Sequence, residues 1–180
     1  MVIFDASYLL PLFNKTASVS LPDAADRVAF LFQRLSKAKE KIVVPTPALA
    51  ELLVRAGQAA NGYIRTVTST AAFQVADFDV KAAIELSQQF EAAVSAGDKR
   101  GGVPEEVSRH KIKFDRQIIA IARATGCTVI YSDDTDFRTL VGDKGPQIIT
   151  FAELPAPSDK SQLDMRFDAV IEPEDDDPEA

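Results

Sequence analysis

The sequence has few of the features that build disulfides, zinc sites or membrane spans. Its single cysteine, Cys127, has no second thiol with which to form an intrachain disulfide or a zinc site. The apolar stretch at residues 2–4 ends at Asp5 without a basic segment before it, and no later apolar run approaches the roughly 20 residues that a transmembrane helix needs. We therefore expect a cytoplasmic protein that is neither secreted nor held in a membrane.

The sequence also lacks the phosphate-binding loop of nucleotide hydrolases. The pattern G-x-x-x-x-G-K-[ST] is absent, and the glycine-rich segment 97–102 follows no predicted strand. The one histidine, His110, has no placed partner, so we interpret it as an exposed loop residue rather than a general base. Cys127 lies just before a predicted strand and is interpreted as a small core residue.

The formal net charge of −7 would usually disfavour nucleic acid binding, because phosphates attract basic proteins. However, six of the last nine residues are acidic and none of the nine is basic, which leaves a net charge of −1 for the rest of the chain. We predict one domain over residues 1–152. An acidic tail with prolines follows at 153–180, and its end is expected to be disordered.

Five short apolar segments predict the strands of one sheet. They lie at residues 2–4, 42–44, 73–76, 128–131 and 147–151, and segments with helical periodicity lie between them. Strands that are apolar throughout and alternate with helices are typical of an α/β fold around a largely parallel sheet.

Acidic residues stand where these strands end. Asp5 closes the first strand, and the acidic segment 133–136 follows the fourth. Asp115 begins the predicted helix that leads into the fourth strand, and Glu51 lies on the helix after the second. Because the functional crevice of an open α/β sheet lies beyond the carboxyl ends of its strands, we expect these acids to converge.

Converging carboxylates repel one another, and several of them stay ionised together only if a cation neutralises them. Oxygen-only ligands favour hard cations, which here means Mg²⁺ or Mn²⁺ with phosphate oxygens completing the shell. Such a centre activates water for attack on a phosphodiester bond. The acidic set therefore predicts a metal-dependent nuclease site.

Each acid also has an ordinary explanation, which the sequence leaves open. Asp5 can be a turn residue at a strand end, Glu51 a solvated helix residue, and Asp115 a helix cap. One acid of segment 133–136 can cap the short helix that Thr135 begins. Taken together, their placement at strand ends that should converge favours the metal site.

A basic stretch approaches Asp115. Its members are Lys99, Arg100, Arg109, Lys111, Lys113 and Arg116. Taken alone, the stretch is typical of a solvated loop and helix start, but beside a carboxylate site it favours a rim that guides phosphates. In the second interpretation Lys111, Lys113 and Arg116 bind RNA.

Four segments resemble the motifs of the PIN-domain family, and within it those of the VapC-like toxins of bacterial toxin–antitoxin pairs. The segments are 2–7, 47–53, 113–120 and 131–137, the last of which resembles a Thr/Ser-x-Asp-x-Asp-Phe pattern. The resemblance implies metal binding by Asp5, Glu51, Asp115, Asp134 and Asp136, of which the first four form the catalytic set. Supporting positions fall on Ser7, Ser132 and Asp133.

The resemblance covers residues 2 to about 151 and implies a three-layer α/β/α sandwich with a central, mainly parallel sheet. It also implies dependence on Mg²⁺ or Mn²⁺, cleavage of single-stranded RNA, a homodimer and, for the toxins, an antitoxin protein as partner. The basic segment at about 99–111 is longer than in compact members, and the tail from Pro155 onward has no counterpart in the family pattern.

Three functions compete on the sequence. The complete acidic set favours a metal-dependent endoribonuclease, with a toxin of a toxin–antitoxin pair as one form of it. A catalytically inactive PIN-like module that binds RNA or protein would keep the fold without needing the acids. A phosphatase with Asp5 as nucleophile is disfavoured, because the expected D-x-D spacing has Ser7 at its second position.

Overall fold

A computed structural model describes residues 1–142 and 145–157. The strands are β1 (Val2–Phe4), β2 (Ile42–Pro45), β3 (Phe73–Ala76), β4 (Val129–Tyr131) and β5 (Gln147–Ile149). The helices are α1 (Ala6–Phe13), α2 (Ala24–Lys37), α3 (Thr46–Ala56), α4 (Ala60–Ser69), α5 (Val80–Ser95), α6 (Arg109–Thr125) and α7 (Asp136–Val141). Short 3-10 turns cover Gly57–Ala59 and Phe151–Glu153.

The five strands pair in parallel, in the order β3-β2-β1-β4-β5. From β1 the chain builds outward through β2 and β3 on one side, and later through β4 and β5 on the other. The strand order therefore reverses beside β1, which opens a crevice at the carboxyl ends of β1 and β4. This topology confirms the predicted α/β/α sandwich around a parallel sheet.

Side chains of the central strand alternate between two apolar layers. Phe4 of β1 lies in one layer with Tyr8 of α1, whereas Ile3 lies in the other layer with Ile119 of α6. All four are fully buried, and burial of a large apolar side chain stabilises a fold by about 1.5–3 kcal/mol. Packing on both faces explains why β1 is apolar at every position.

Helix α6 begins earlier than the sequence predicts. Ser108 caps it, since its hydroxyl oxygen accepts a hydrogen bond from the Lys111 amide at 3.2 Å. Gly126 ends the helix as predicted, in the left-handed region with φ 71°. Asp115 is thus the seventh residue of α6 rather than its first, so the helix-cap explanation of this acid is wrong. His110 lies on the same helix and is exposed, not in a loop.

The chain stays packed beyond the last strand. Phe151 and Leu154 are buried in the layer that contains Phe4, so packing continues two residues past the predicted domain end at 152. The part of the predicted acidic tail from residue 158 onward lies outside the described residues. Within the described residues, none of the helices has the length and apolar character needed to cross a membrane.

Candidate metal centre

Asp5 lies at the carboxyl end of β1, where the strand order reverses. Its amide donates a hydrogen bond to the Tyr131 carbonyl oxygen at 3.1 Å, which fixes the backbone beside β4. Its buried carboxylate accepts hydrogen bonds at Oδ2 from the hydroxyl groups of Ser132, at 2.9 Å, and Ser7, at 3.3 Å. The two serines that the sequence places in supporting roles thus hold the orientation of this carboxylate.

Burial raises the pKa of the Asp5 carboxyl group. The negative charges of Glu51 and Asp134 raise this pKa further, although hydrogen bonds from the Ala6 amide and the Ser132 hydroxyl lower it. Burial and two acidic neighbours both disfavour the charged form of a carboxyl group, and a bound cation would favour it. The electrostatics of Asp5 therefore favour cation binding.

The turn between β4 and α7 places two further acids. The Asp134 amide donates to Ser132 Oγ at 3.2 Å, and the Asp136 amide donates to Asp134 Oδ1 at 3.0 Å. One oxygen of Asp134 therefore supports the start of α7, as the sequence allowed, while the other contacts the ammonium group of Lys111. The Asp133 carboxylate accepts hydrogen bonds from the Ser20 hydroxyl and the Phe151 amide, away from the other acids. Its backbone amide donates to the Ser7 hydroxyl at 3.0 Å, and Ser7 in turn contacts Asp5.

Asp115 reaches the same point from α6. Oxygen atoms of Asp115, Asp134 and Asp136 all lie within 4.8 Å of one another. Burial raises the pKa of Asp115 to about 7; the ammonium group of Lys111 lowers this pKa, whereas the charges of Asp134 and Asp5 raise it. Acids from the end of β1, from α6 and from the β4–α7 turn thus form one carboxylate cluster, which we define as Asp5, Asp115, Asp134 and Asp136.

A lysine side chain enters this cluster. Lys111 Nζ lies 3.1 Å from Asp115 Oδ2 and 2.7 Å from Asp136 Oδ2, and it also contacts Asp134 Oδ2. Partial burial opposes the charge of Lys111, but hydrogen bonds with Asp134 and Asp136 and the charge of Asp115 raise its pKa above the usual value. The sequence identified Lys111 as a basic residue near the site, and its spacing of four residues from Asp115 was the signal for direct contact.

Glu51 lies at the margin of the cluster. It is exposed on α3 and forms an ion pair with Arg55 at 2.7 Å, one helical turn away. The cleft that contains Asp5, Asp115 and Asp134 is also lined by Glu51. The structure therefore brings together four of the five predicted metal-binding acids directly and places the fifth on the wall of the same cleft.

Apolar side chains flank the acids in this cleft. Val54 of α3 and Phe114 of α6 are 83% and 54% exposed, although both are large hydrophobic residues. Neither residue has a role that its sequence pattern predicts, and exposure in the fold is what distinguishes them. Their position gives the cleft an acidic floor with an apolar and partly aromatic wall.

The predicted RNA-binding residues separate in the structure. Lys113 is exposed, whereas Lys111 belongs to the cluster described above. Arg116 is only 4% exposed, and its guanidinium group lies 5.1 Å from the Phe90 ring centroid and donates to the Gln89 carbonyl oxygen at 3.3 Å. These contacts give Arg116 a packing function between α5 and α6, so the expectation that it binds RNA does not fit the structure.

The donor set fits a hard divalent cation. The cluster holds four carboxyl groups, and the ammonium group that enters it contacts three of them, so the carboxyl groups outnumber the cation. Oxygen-only ligands of this kind suit Mg²⁺ or Mn²⁺. Within the described residues, the carboxylate cluster contains no histidine or cysteine ligand that would favour zinc.

The model of the PIN domain family matches residues 2–142, which is most of the chain. The chain belongs to the PIN domain family. The match covers all five acids predicted to bind metal, from Asp5 to Asp136. No curated protein sequence matches the chain.

Solved structures of PIN domain toxins share the fold. VapBC2 from Rickettsia felis, bound to a DNA fragment from its promoter, has a TM-score of 0.58 and 13% identity over 83% of this chain and 98% of that one. DNA-bound VapBC from Salmonella typhimurium has a TM-score of 0.52 and 18% identity, over 83% and 97%. VapC20 from Mycobacterium tuberculosis, a toxin that cleaves the sarcin-ricin loop, has a TM-score of 0.50 and 20% identity, over 76% and 92%. At these identities the similarity concerns the fold.

Proposed function

We propose that this PIN domain protein is a metal-dependent endoribonuclease that hydrolyses phosphodiester bonds of single-stranded RNA. The observation that carries the proposal is the convergence of Asp5, Asp115, Asp134 and Asp136 at the reversal point of the sheet. Like charges gathered from distant segments destabilise a fold, and a catalytic cation is the simplest compensating partner.

The four acids of the cluster would hold Mg²⁺ or Mn²⁺, with Glu51 available from the cleft wall. A cation held there would supply Lewis acidity, the chemistry by which a metal ion lowers the pKa of water and stabilises a leaving oxygen. Ser132 and Ser7 keep Asp5 Oδ2 in a fixed orientation through their hydroxyl groups. The Ser7 hydroxyl group, which also lines the cleft, donates to Asp5 Oδ2, and water is the proposed nucleophile.

The cleft wall supports a single-stranded substrate. The exposed ring of Phe114 offers a face on which an unpaired base can stack, and such stacking is largely independent of base identity. The exposed ammonium group of Lys113, on the same helix, is available to phosphates at the rim. A base-paired duplex would not present its base faces to Phe114.

The VapC and VapBC neighbours support a toxin of a toxin–antitoxin pair as the biological form of this activity. In this form the protein acts in the cytoplasm on RNA, assembles as a homodimer and is restrained by an antitoxin protein. The fold similarity to VapBC complexes is what supports the antitoxin partner.

Cleavage of labelled single-stranded RNA with Mn²⁺, Mg²⁺ or EDTA tests the proposal, with Asp5→Asn as the site variant. Cleavage by the wild type that requires metal and is lost in Asp5→Asn is expected. Equal RNA binding with EDTA and with Mg²⁺, without cleavage of any RNA in a varied set, would favour the inactive binding module instead.

A further inference from the structure

The position of Lys111 bears on how a cation reaches the cluster. Its ammonium group contacts one carboxylate oxygen of each of Asp115, Asp134 and Asp136. Oxygen atoms of the same three carboxylates lie within 4.8 Å of one another, and the ammonium group lies where these carboxylates converge. Within residues 1–142 and 145–157, no other basic side chain forms an ion pair with the cluster.

Two cations cannot share this space. A divalent ion such as Mg²⁺ needs carboxylate oxygens at about 2.0–2.1 Å, and a second positive charge at hydrogen-bond distance from the same oxygens would repel it. The carboxylates are shared ligands, so whichever cation is bound excludes the other.

The side chain of Lys111 is free to leave. Lys111 is the third residue of α6, and its side chain is 40% exposed. Its backbone amide is held by the Ser108 hydroxyl group, so the helix start does not depend on the position of the ammonium group. Rotation of the four-carbon side chain into solvent therefore breaks the three ion pairs without exposing the core.

We propose that Lys111 is a resident, displaceable cation of the carboxylate cluster: it stabilises the fold when the cluster holds no metal, and a divalent ion must displace it to bind. The inference rests on the proposed function in one respect, that the cluster binds a divalent cation. Its consequence is that Lys111 weakens the apparent affinity for that cation.

Mn²⁺ binding to the full chain tests the inference, measured by the loss of the free Mn²⁺ electron paramagnetic resonance signal. Lys111→Gln removes the charge and keeps much of the side-chain length. Lys113→Gln is the matched control, because it makes the same change of net charge on the same helix at an exposed position without an ion pair in the described residues. Lys111→Arg keeps the charge and separates its effect from that of the lysine shape.

We expect Lys111→Gln to bind Mn²⁺ about tenfold more tightly than the wild type. An ammonium group at this distance changes the affinity of a carboxylate for a proton by about tenfold or more, and we expect a similar effect on its affinity for Mn²⁺. The same variant should melt at a lower temperature than the wild type in EDTA. Lys113→Gln and Lys111→Arg should resemble the wild type in affinity, and Lys113→Gln should also resemble it in melting temperature.

Two contrary results lead to different conclusions. If the wild type binds Mn²⁺ and Lys111→Gln binds it equally or more weakly, the displaceable-cation inference fails while the metal site stands. If neither wild type nor any variant binds Mn²⁺ saturably, the metal site of the proposed function fails and the inference fails with it.

Discussion

The loop between α5 and α6 and the carboxylate cluster are both rich in charge, but the pKa values of their acids shift in opposite directions. In the loop between α5 and α6, the Asp98 carboxylate accepts hydrogen bonds from the amides of Arg100, Gly101 and Gly102, at 3.0, 3.0 and 2.6 Å. Arg100 in turn donates to carbonyl oxygens of the same loop, among them that of Val103 at 3.1 Å. Backbone groups of the loop therefore form hydrogen bonds with the charged groups of Asp98 and Arg100.

In the carboxylate cluster, burial outweighs the hydrogen bonds to Asp5 and the contact of Lys111 with Asp115. Hydrogen bonds from the Gly102, Arg100 and Gly101 amides lower the pKa of Asp98, whereas burial raises the pKa of Asp5 and of Asp115. A charge that its own loop satisfies favours folding. An excess of like charge, assembled from distant segments, opposes folding. Such a cluster therefore indicates a site that binds a ligand of opposite charge.

The largest difference between the regions should appear on removing one charge from each. Asp115→Asn should reduce metal-dependent RNA cleavage by at least about a hundredfold, since even the loss of a group that only supports a metal ligand costs about tenfold to a hundredfold. Asp98→Asn is the matched control and should keep the cleavage rate while lowering the melting temperature. Equal loss of cleavage in both variants, with both folded by circular dichroism, would contradict a catalytic role for the cluster alone.

The pH dependence of stability should differ next. The raised pKa of Asp115 means that the folded state favours the protonated form, so its stabilising effect is lost as pH rises from the ordinary pKa of 3.8 through about 7. In EDTA the wild type should melt several degrees lower at about pH 8 than at about pH 5. Asp115→Asn should reduce this difference, and Asp98→Asn should leave it intact. A wild-type melting temperature that does not fall between about pH 5 and about pH 8 would contradict the raised pKa of Asp115.

A backbone change in the loop should affect stability alone. Gly101 has φ +66°, and a Cβ added there would lie 2.9 Å from Arg116 Nη2. Gly101→Ala should lower the free energy of unfolding by about 1–2 kcal/mol, because a residue with a side chain is strained in the left-handed region. Chemical denaturation measures this loss, and Mn²⁺ affinity is expected to be unchanged. A changed affinity would show that the loop and the cluster are coupled.

The smallest effect concerns the cleft wall. The chain has no tryptophan, so Phe114→Trp introduces a single fluorescent reporter beside the cluster and preserves an aromatic face. Its emission should be quenched when single-stranded RNA binds in EDTA, with little change in RNA affinity. Ile84→Trp, at a position on α5 that is 53% exposed, should report no quenching. Equal quenching at both positions would place RNA binding away from the cleft.

The sheet and its acids were predictable because their signals are local. Each strand is a short apolar run, and parallel strands separated by helices place their carboxyl ends on one edge of the sheet. Asp5 and the acids of the β4–α7 turn therefore followed from strand position. Whether these acids bind a metal remains a prediction.

Other features depend on contacts between distant segments, which one sequence does not display. Helix α4 received no prediction, because it contains residues with weak helix propensity such as Asn61 and Gly62; it is held by packing of Tyr63 and Val67 into the core. Arg116 seemed available to RNA beside its basic neighbours, but contacts with α5 bury it. The ion pairs of Lys111 with Asp134 and Asp136 depend on the same tertiary packing.

The central position of β1 also determines when the protein acquires its site during synthesis. Strand β1 lies in the middle of the sheet, and β4, which pairs with it on one side, is synthesised more than 120 residues later. A nascent chain that ends between α6 and β4 contains Asp5 and Asp115 but lacks both Asp134 and Asp136. A fragment that ends between α6 and β4 therefore cannot assemble the carboxylate cluster, whatever its remaining helices and strands do.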